Sequence, residues 1–265
     1  KMTRTQDGSG YGGINANRTQ GPAEAAKRGA VAYLVRSLST DDTRLPHTGG
    51  ASPAGIPAAA LSTADAELLD HMAARGKTVT VKLEMASSFN PAAQAWNVVG
   101  EIKGAVAPAE VIVVGGHLDS WDPGTGAIDD AAGVAIMTAA AKLARGEPPK
   151  RTIRVVMFGS EEQGGSGAAY ANAHKADVGK IVVAGESDEG SGRIWSLNLP
   201  KNAAAHPAMG AFLTAIGPLK VIVGRGLPSQ GGADISGLML LGAPFVDFHQ
   251  DASRYFDLHH SADDT

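Results

Sequence analysis

No cysteine occurs anywhere in the 265 residues. Disulfides, thiolate zinc sites and thiol nucleophiles are therefore all excluded, while the redox compartment stays open. Positive charge is also scarce. With 23 Lys and Arg against 27 Asp and Glu, the net charge is -4, and the Lys/Arg surface that neutralises phosphates is missing, so no nucleic-acid partner is expected. No apolar run approaches the roughly 18 residues of a bilayer span, so no membrane partner is expected either. Internal repeats and low-complexity tracts are absent, and Lys1-Met2-Thr3-Arg4 does not read as a signal peptide. What remains is an ordinary globular composition, 43% apolar and 19% charged, long enough for one large domain or one large and one small.

The chain changes character near residue 90. Before it, Pro22–Gly29 reads as a short helix, 30–35 as a strand, Asp41–Gly55 as a Pro- and Gly-broken loop, 56–61 as a strand, Thr63–Arg75 as a helix begun by a Ser62/Thr63 cap, and Thr78–Met85 as an alternating strand. Ser87–Pro91 reads as a linker. From Trp96 onward strands and helices alternate, with an Ala-rich helix over 131–144. Such alternation predicts an α/β fold built on a mainly parallel sheet with helices on both faces.

The chemistry gathers where apolar runs end. Val111–Val114 leads into His117 and Asp119, Ile153–Phe158 into Glu161 and Glu162, and Ile181–Ala184 into Glu186 and Asp188. Pro244–Phe248 precedes His259 and His260. Open α/β sheets bind ligands at the carboxyl ends of their strands, and imidazole with carboxylates makes a donor set for divalent zinc. Two zinc ions about 3.5–4 Å apart need a shared carboxylate, for which Asp129, in a tight Gly/Ala loop before a helix, is suited. The competing role for Asp129 or Asp130 is a helix N-cap, and adjacent aspartates allow both, with Asp130 as the cap. Glu161 and Glu162 could be solvated charges at a helix start. After a buried strand and before Gly164-Gly165, one can instead hold metal while the other faces the attacking water. Asp119 suits an acceptor behind the His117 imidazole better than a ligand. Adjacent His259 and His260 point in different directions, so only one is expected on a given ion. His47, His71, His174 and His206 read as solvated, and His249, close to a strand exit, is less clear-cut. Gly8–Gly13 fits G-x-G-x-x-G, but without an apolar strand before it or a helix at once after it a dinucleotide site is not expected. Gly165-Ser166-Gly167 lacks the frame of a serine nucleophile.

The segments GGHLDSWDPGTGAIDD, GSEEQGGSGA, GESDEG and YFDLHHSADDT, in this order, resemble the M28 co-catalytic zinc peptidases across most of 97–265. EAAKRGAVAYLVRSL, the LPHTG loop and IPAAALSTADAELL resemble part of the protease-associated domain that one subfamily carries as an insertion. The resemblance implies a zinc-exopeptidase (phosphorylase/hydrolase-like) domain over 91–265 and a small, partial protease-associated α/β domain over 1–90. It implies two zinc ions, one held by His117 and Asp188, the other by Glu162 and His260, with Asp129 bridging, Glu161 as general base and Asp119 behind His117. The family's ligand His stands four residues before an Asp-Thr pair, which His260 satisfies with Asp264-Thr265 and His259 does not. The implied activity is hydrolysis of dipeptides or short peptides with a free amino terminus, in a secreted or periplasmic protein, with a homodimer allowed for. Aminopeptidase or carboxypeptidase action on longer peptides is the alternative within enzymes. A receptor-like binding domain that has lost its metals is the alternative outside them. The family pattern also implies sheet and helix ahead of the insertion and a helix after Asp264-Thr265, so the sequence is expected to be a piece of a longer chain. Tyr255 is an oxyanion candidate by proximity alone.

Overall fold

The computed structural model describes residues 2–88, 90–145, 148–200, 203–224 and 231–265. Its helices and strands run α1 (Ser9–Gly12), α2 (Asn15–Thr19), α3 (Gly21–Ala26), β1 (Tyr33–Arg36), β2 (Ala58–Leu61), α4 (Thr63–Ala74), β3 (Val98–Ile102), β4 (Ala107–His117), α5 (Ala132–Ala144), β5 (Arg151–Phe158), α6 (Ser166–His174), β6 (Ile181–Glu186), β7 (Ile194–Asn198), α7 (Met209–Ile216), β8 (Ile222–Val223), α8 (Ser236–Leu240) and β9 (Asp247–Gln250). The chain forms two compact units. The first comprises Lys1–Gln94, Trp121–Thr125 and Ala252–Thr265, and the second Ala95–Ser120 and Gly126–Asp251.

In the first unit, β1 and β2 pair in parallel. Helix α4 begins as its sequence dictates, with the Ser62 hydroxyl accepting the Asp65 N–H at 3.1 Å, which satisfies one of the open donors of the first turn. The terminal segment is tied into this unit. Thr40 N–H donates to the Phe256 carbonyl at 3.1 Å, the Arg4 guanidinium clasps the Asp257 carboxylate at 2.5 and 2.9 Å, and Tyr11 stacks on Phe256. Two expectations need correction here. Thr78–Met85 forms no strand, because alternation supplies a face but only a neighbour supplies ladder bonds, and no described strand pairs with it. Val81 and Met85 stay about half exposed. The Gly8–Gly13 run itself carries α1, although no strand precedes it among the described residues. Within the expected Ser87–Pro91 linker, Phe89 lies outside the described residues.

The second unit holds a four-stranded sheet of order β3-β5-β4-β6. β4 runs parallel to both β5 and β6, and only the edge strand β3 is antiparallel. A three-stranded sheet, β8-β7-β9, completes the unit, with β7 parallel to β8 and antiparallel to β9. Phe245 pairs with Ala184 of β6 ahead of β9. Alternate residues Val111 and Val113 of β4 are buried, with Val156 and Phe158 of β5 and Ala184 of β6. Tyr170 and Ala171 of α6 and Ile235 and Leu238 around α8 close the same core. Helix α5 buries Gly133, Met137 and Ala141, a stripe of period four, and packs on β4 and β5.

The approach of α5 explains Gly116, the residue before His117. A Cβ on Gly116 would meet the Asp130 carboxylate at 2.4 Å and the Val134 nitrogen at 2.9 Å. With no side chain there, Asp130 accepts the His117 N–H at 3.1 Å and the Gly133 N–H at 3.0 Å. One carboxylate thus accepts an open N–H of the first turn of α5 and pins the end of β4 to it, although the N-cap residue is Ala131 rather than the expected Asp130.

Candidate metal centre

The parallel strands β4, β5 and β6 end side by side, His117 pairing with Phe158 and Gly115 with Glu186. Their exits therefore deliver His117, Glu161, Glu162 and Asp188 to one sheet edge. Asp129 joins them from the loop before α5, on a cis Asp129–Asp130 peptide. The His117 side chain is buried, and its Nε2 stands 3.1 Å from Asp129 Oδ1 and 3.4 Å from Asp188 Oδ1. Donor atoms of His117, Glu161 and Glu162 lie within 4.8 Å of one another, as do those of His117, Asp130 and Asp188.

Nδ1 of His117 faces the Asp119 main-chain carbonyl at 2.8 Å, while the Asp119 carboxylate is 3.6 Å away. That carboxylate instead accepts the N–H groups of Glu161 at 2.9 Å and Glu162 at 3.1 Å. Asp119 therefore orients the imidazole mainly through its backbone, and its side chain fixes the turn bearing both glutamates. With Nδ1–H donated to a carbonyl, Nε2 is the ring nitrogen turned to Asp129 and Asp188 and the one that could hold a metal.

The electrostatics are those of a cation site. Burial raises the carboxyls of Asp130 to about 8 and Glu161 to about 7. It also lifts Asp188 well above the carboxylate range, with repulsion from Asp129 and Asp130 adding to the effect. Burial alone would lower His117, but the surrounding Asp119, Asp129 and Asp188 carboxylates outweigh it and raise the imidazole well above its ordinary range in the metal-free protein. One imidazolium cannot balance this many buried carboxylates. The donor set, one imidazole and several hard oxygens with donor atoms spaced about as wide as the edges of a tetrahedron with roughly 2 Å bonds, fits zinc.

A pH effect follows for the metal-free protein. A carboxyl whose folded pKa lies above its unfolded value stabilises the fold fully below the unfolded pKa, and that stability is lost as pH rises through the folded value. The shifts at Asp130, Glu161 and Asp234, the last raised to about 6 chiefly by burial, place the loss between about pH 4 and 8. Chelator-treated protein is expected to lose roughly 3 °C or more of Tm between pH 5.5 and 8. A flat or rising Tm would contradict the electrostatic reading.

Asp234 is the residue that sequence reasoning passes over. It is buried, accepts the Ser166 hydroxyl at 2.6 Å, and its N–H and that of Ile235 each donate to Glu186 Oε2 at 3.0 Å. Glu186 thus turns to backbone, and Glu189 accepts the Gln250 N–H at 3.0 Å, leaving Asp188 as the carboxylate facing His117. The signal for Asp234 lay in Gly231-Gly232: at Gly232, φ is 102° and a Cβ would collide with Glu186.

His260 does not sit at a strand exit, because β9 ends at Gln250. It belongs to the first unit, where its ring stacks on His259 with centroids 3.5 Å apart. Nδ1 lies 3.2 Å from the Thr48 carbonyl. His47, expected in solvent, is 2% exposed, its Nδ1 2.5 Å from the His259 carbonyl. His249 is buried against Asn198 at 3.1 Å. Tyr255 packs against Phe256 and His259.

A zinc aminopeptidase from Bacillus subtilis superposes with a TM-score of 0.61, covering 92% of this chain and 61% of that one at 18% identity, a likeness of fold alone. The chain belongs to peptidase family M28, whose family model matches residues 97–265. Carboxypeptidase Q of Mus musculus is 38% identical over 264 residues, 97% of this chain and 56% of the relative. A peptidase M28 precursor from Shewanella amazonensis SB2B is similar in structure with a TM-score of 0.94 and 43% identity, covering all of this chain and 61% of its own. The chain thus spans about half the length of the curated relatives it matches.

Proposed function

We propose that this protein is a two-zinc exopeptidase that hydrolyses dipeptides or short peptides with a free amino terminus. The observation that carries the reading is the convergence of His117 Nε2 with Asp129 and Asp188 at 3.1 and 3.4 Å, beside a Glu161 carboxyl raised to about 7. The kinship with carboxypeptidase Q supports it, and the fold it needs is shared with a zinc aminopeptidase. His117 and Asp188 would hold one ion, Glu162 and His260 the other, with Asp129 shared. His260 enters on the family resemblance, in which the ligand His stands four residues before an Asp-Thr pair, here Asp264-Thr265. Bound zinc supplies Lewis-acid charge for the scissile carbonyl and its developing oxyanion, and lowers the pKa of the attacking water.

The chain's own residues supply the proton traffic. Glu161 accepts the water's proton and returns it to the leaving amine, and a carboxyl near pH 7 is matched to both tasks. The Asp119 carboxylate fixes the Glu161 N–H, so that the base keeps its orientation through the cycle. Residues 1–90 are taken as part of a protease-associated domain and 91–265 as the peptidase domain, in a protein that is secreted or periplasmic. Every proposed ligand is present, which is the feature a receptor-like relative without metals would lack.

Selection of the substrate would come from its terminus. Asp188 and Glu161 place negative charge where a peptide ammonium could sit. A free dipeptide is therefore expected to be cleaved and its N-acetylated form to be resisted by at least roughly 100-fold in kcat/KM, since acetylation removes the charge and adds bulk. Equal cleavage of both would move the assignment to a carboxypeptidase reading the opposite end. Cleavage of neither by zinc-loaded protein would favour the receptor-like reading.

A further inference from the structure

His260 has φ of 62°, a left-handed backbone that is unfavourable for a residue with a Cβ and persists only where its surroundings over-determine it. Those surroundings come from the Leu45–Gly50 loop. Thr48 N–H donates to the His260 carbonyl at 2.9 Å, and the Thr48 hydroxyl reaches the same oxygen at 3.4 Å. In return the Thr48 carbonyl faces His260 Nδ1 at 3.2 Å. One residue earlier, His47 Nδ1–H donates to the His259 carbonyl at 2.5 Å. His47 is itself fixed by its own N–H, which donates to the Ser37 hydroxyl at 2.8 Å.

The Arg18 guanidinium completes the arrangement. It is 8% exposed, donates from Nη1 to the Thr48 carbonyl at 3.1 Å and from Nη2 to the Tyr11 hydroxyl at 2.6 Å, and lies 3.5 Å from His260 Nδ1. The shorter distance makes the Thr48 carbonyl the acceptor shared by Arg18 and the imidazole. A Cβ on Gly49 would fall 2.3 Å from Arg18 Cζ, so a side chain there would push the guanidinium from this position.

We propose that Arg18, His47 and the Thr48 backbone form a clamp that sets the backbone, tautomer and ring orientation of His260, and so the affinity of one of two metal sites. This rests on the reading of His260 as a ligand under Proposed function. A proton held on Nδ1 by Thr48 puts the lone pair on Nε2, the form that binds metal, and partners of this kind typically alter metal affinity by about 10–100-fold. Arg18 and His47 are positioning residues, argued to act through His260. The clamp gives the LPHTG loop a function in the metal centre beyond its place in an inserted domain.

Two readouts test it in the full-length protein. In metal-free, 15N-labelled protein, ring correlations should place the His260 proton on Nδ1, and Arg18→Ala and Gly49→Ala should shift it to a mixture of tautomers. In chelator-competition titrations with zinc, the wild type should bind two ions tightly. Arg18→Ala, Gly49→Ala and His47→Ala should keep one tight ion and weaken the second by roughly 10–100-fold. His47→Gln, whose carboxamide can still donate to the His259 carbonyl, should restore most of the loss, which a general packing defect would not permit. Melting curves identify any variant that has lost its fold, and the Gly49 and Gln variants then carry the comparison. Variants that are folded and bind both ions with wild-type affinity would overturn the clamp. A wild type that binds fewer than two ions, with the His260 tautomer as described, would instead overturn the ligand assignment on which the clamp depends.

Discussion

Glu161→Gln is expected to lower kcat on a free dipeptide by roughly 10²–10⁴-fold while the zinc content stays at wild-type level. The Glu161 carboxyl is pushed up to about 7, first by burial and then by the neighbouring Glu162, Asp234 and Asp129 charges, against the lowering influence of His117. A group at that value can take a proton from water and give it back to an amine at neutral pH. Glutamine keeps the volume and the backbone N–H that donates to Asp119 at 2.9 Å, so the turn bearing Glu162 should survive. Only the capacity to take up and return a proton is removed. Steady-state kinetics with metal analysis of the same sample decide the matter, and near-normal turnover would show that another group is the base.

Asp129→Ala should act differently, through the metal. Its carboxylate lies 3.1 Å from His117 Nε2 and is the proposed shared ligand, so its loss removes an oxygen from both ions together. Bound zinc is expected to fall from two ions to fewer than one per chain at micromolar free zinc, and activity to fall by roughly 10³-fold or more, since truncating a shared ligand disables both centres. Raising zinc to millimolar levels should recover part of the metal without the rate. Retention of two tightly bound ions would remove Asp129 from the bridging position. The contrast between the variants separates proton transfer from metal binding, which no single substitution can do.

The strands that carry the site were legible because burial on both sides of a parallel strand writes continuous apolar runs. Val111–Val114, Ile153–Phe158 and Ile181–Ala184 read that way and lie in β4, β5 and β6. The helix behind Asp129 and the cap at Ser62 were equally plain, being local in sequence. What escaped depends on distant partners. Thr78–Met85 alternates like a strand, yet alternation carries no information about whether a neighbour is there to bond it. His47 reads as a loop residue in solvent, and only its pairing with His259, far along the chain, explains its burial. Asp234 gives no periodic signal and becomes visible through Glu186, which its N–H engages. The exact part played by Asp119 was also hidden, since spacing cannot tell a carbonyl facing His117 from a carboxylate facing two backbone amides.

The central claim is that one pair of zinc ions is held by this chain's own histidines and carboxylates. Anomalous diffraction from zinc-loaded crystals, collected on either side of the zinc edge, tests it most directly. The account predicts two peaks about 3.5–4 Å apart, both within bonding distance of Asp129, one contacting His117 and Asp188 and the other Glu162 and His260. A single peak, or two peaks of which neither touches Asp129, would contradict it.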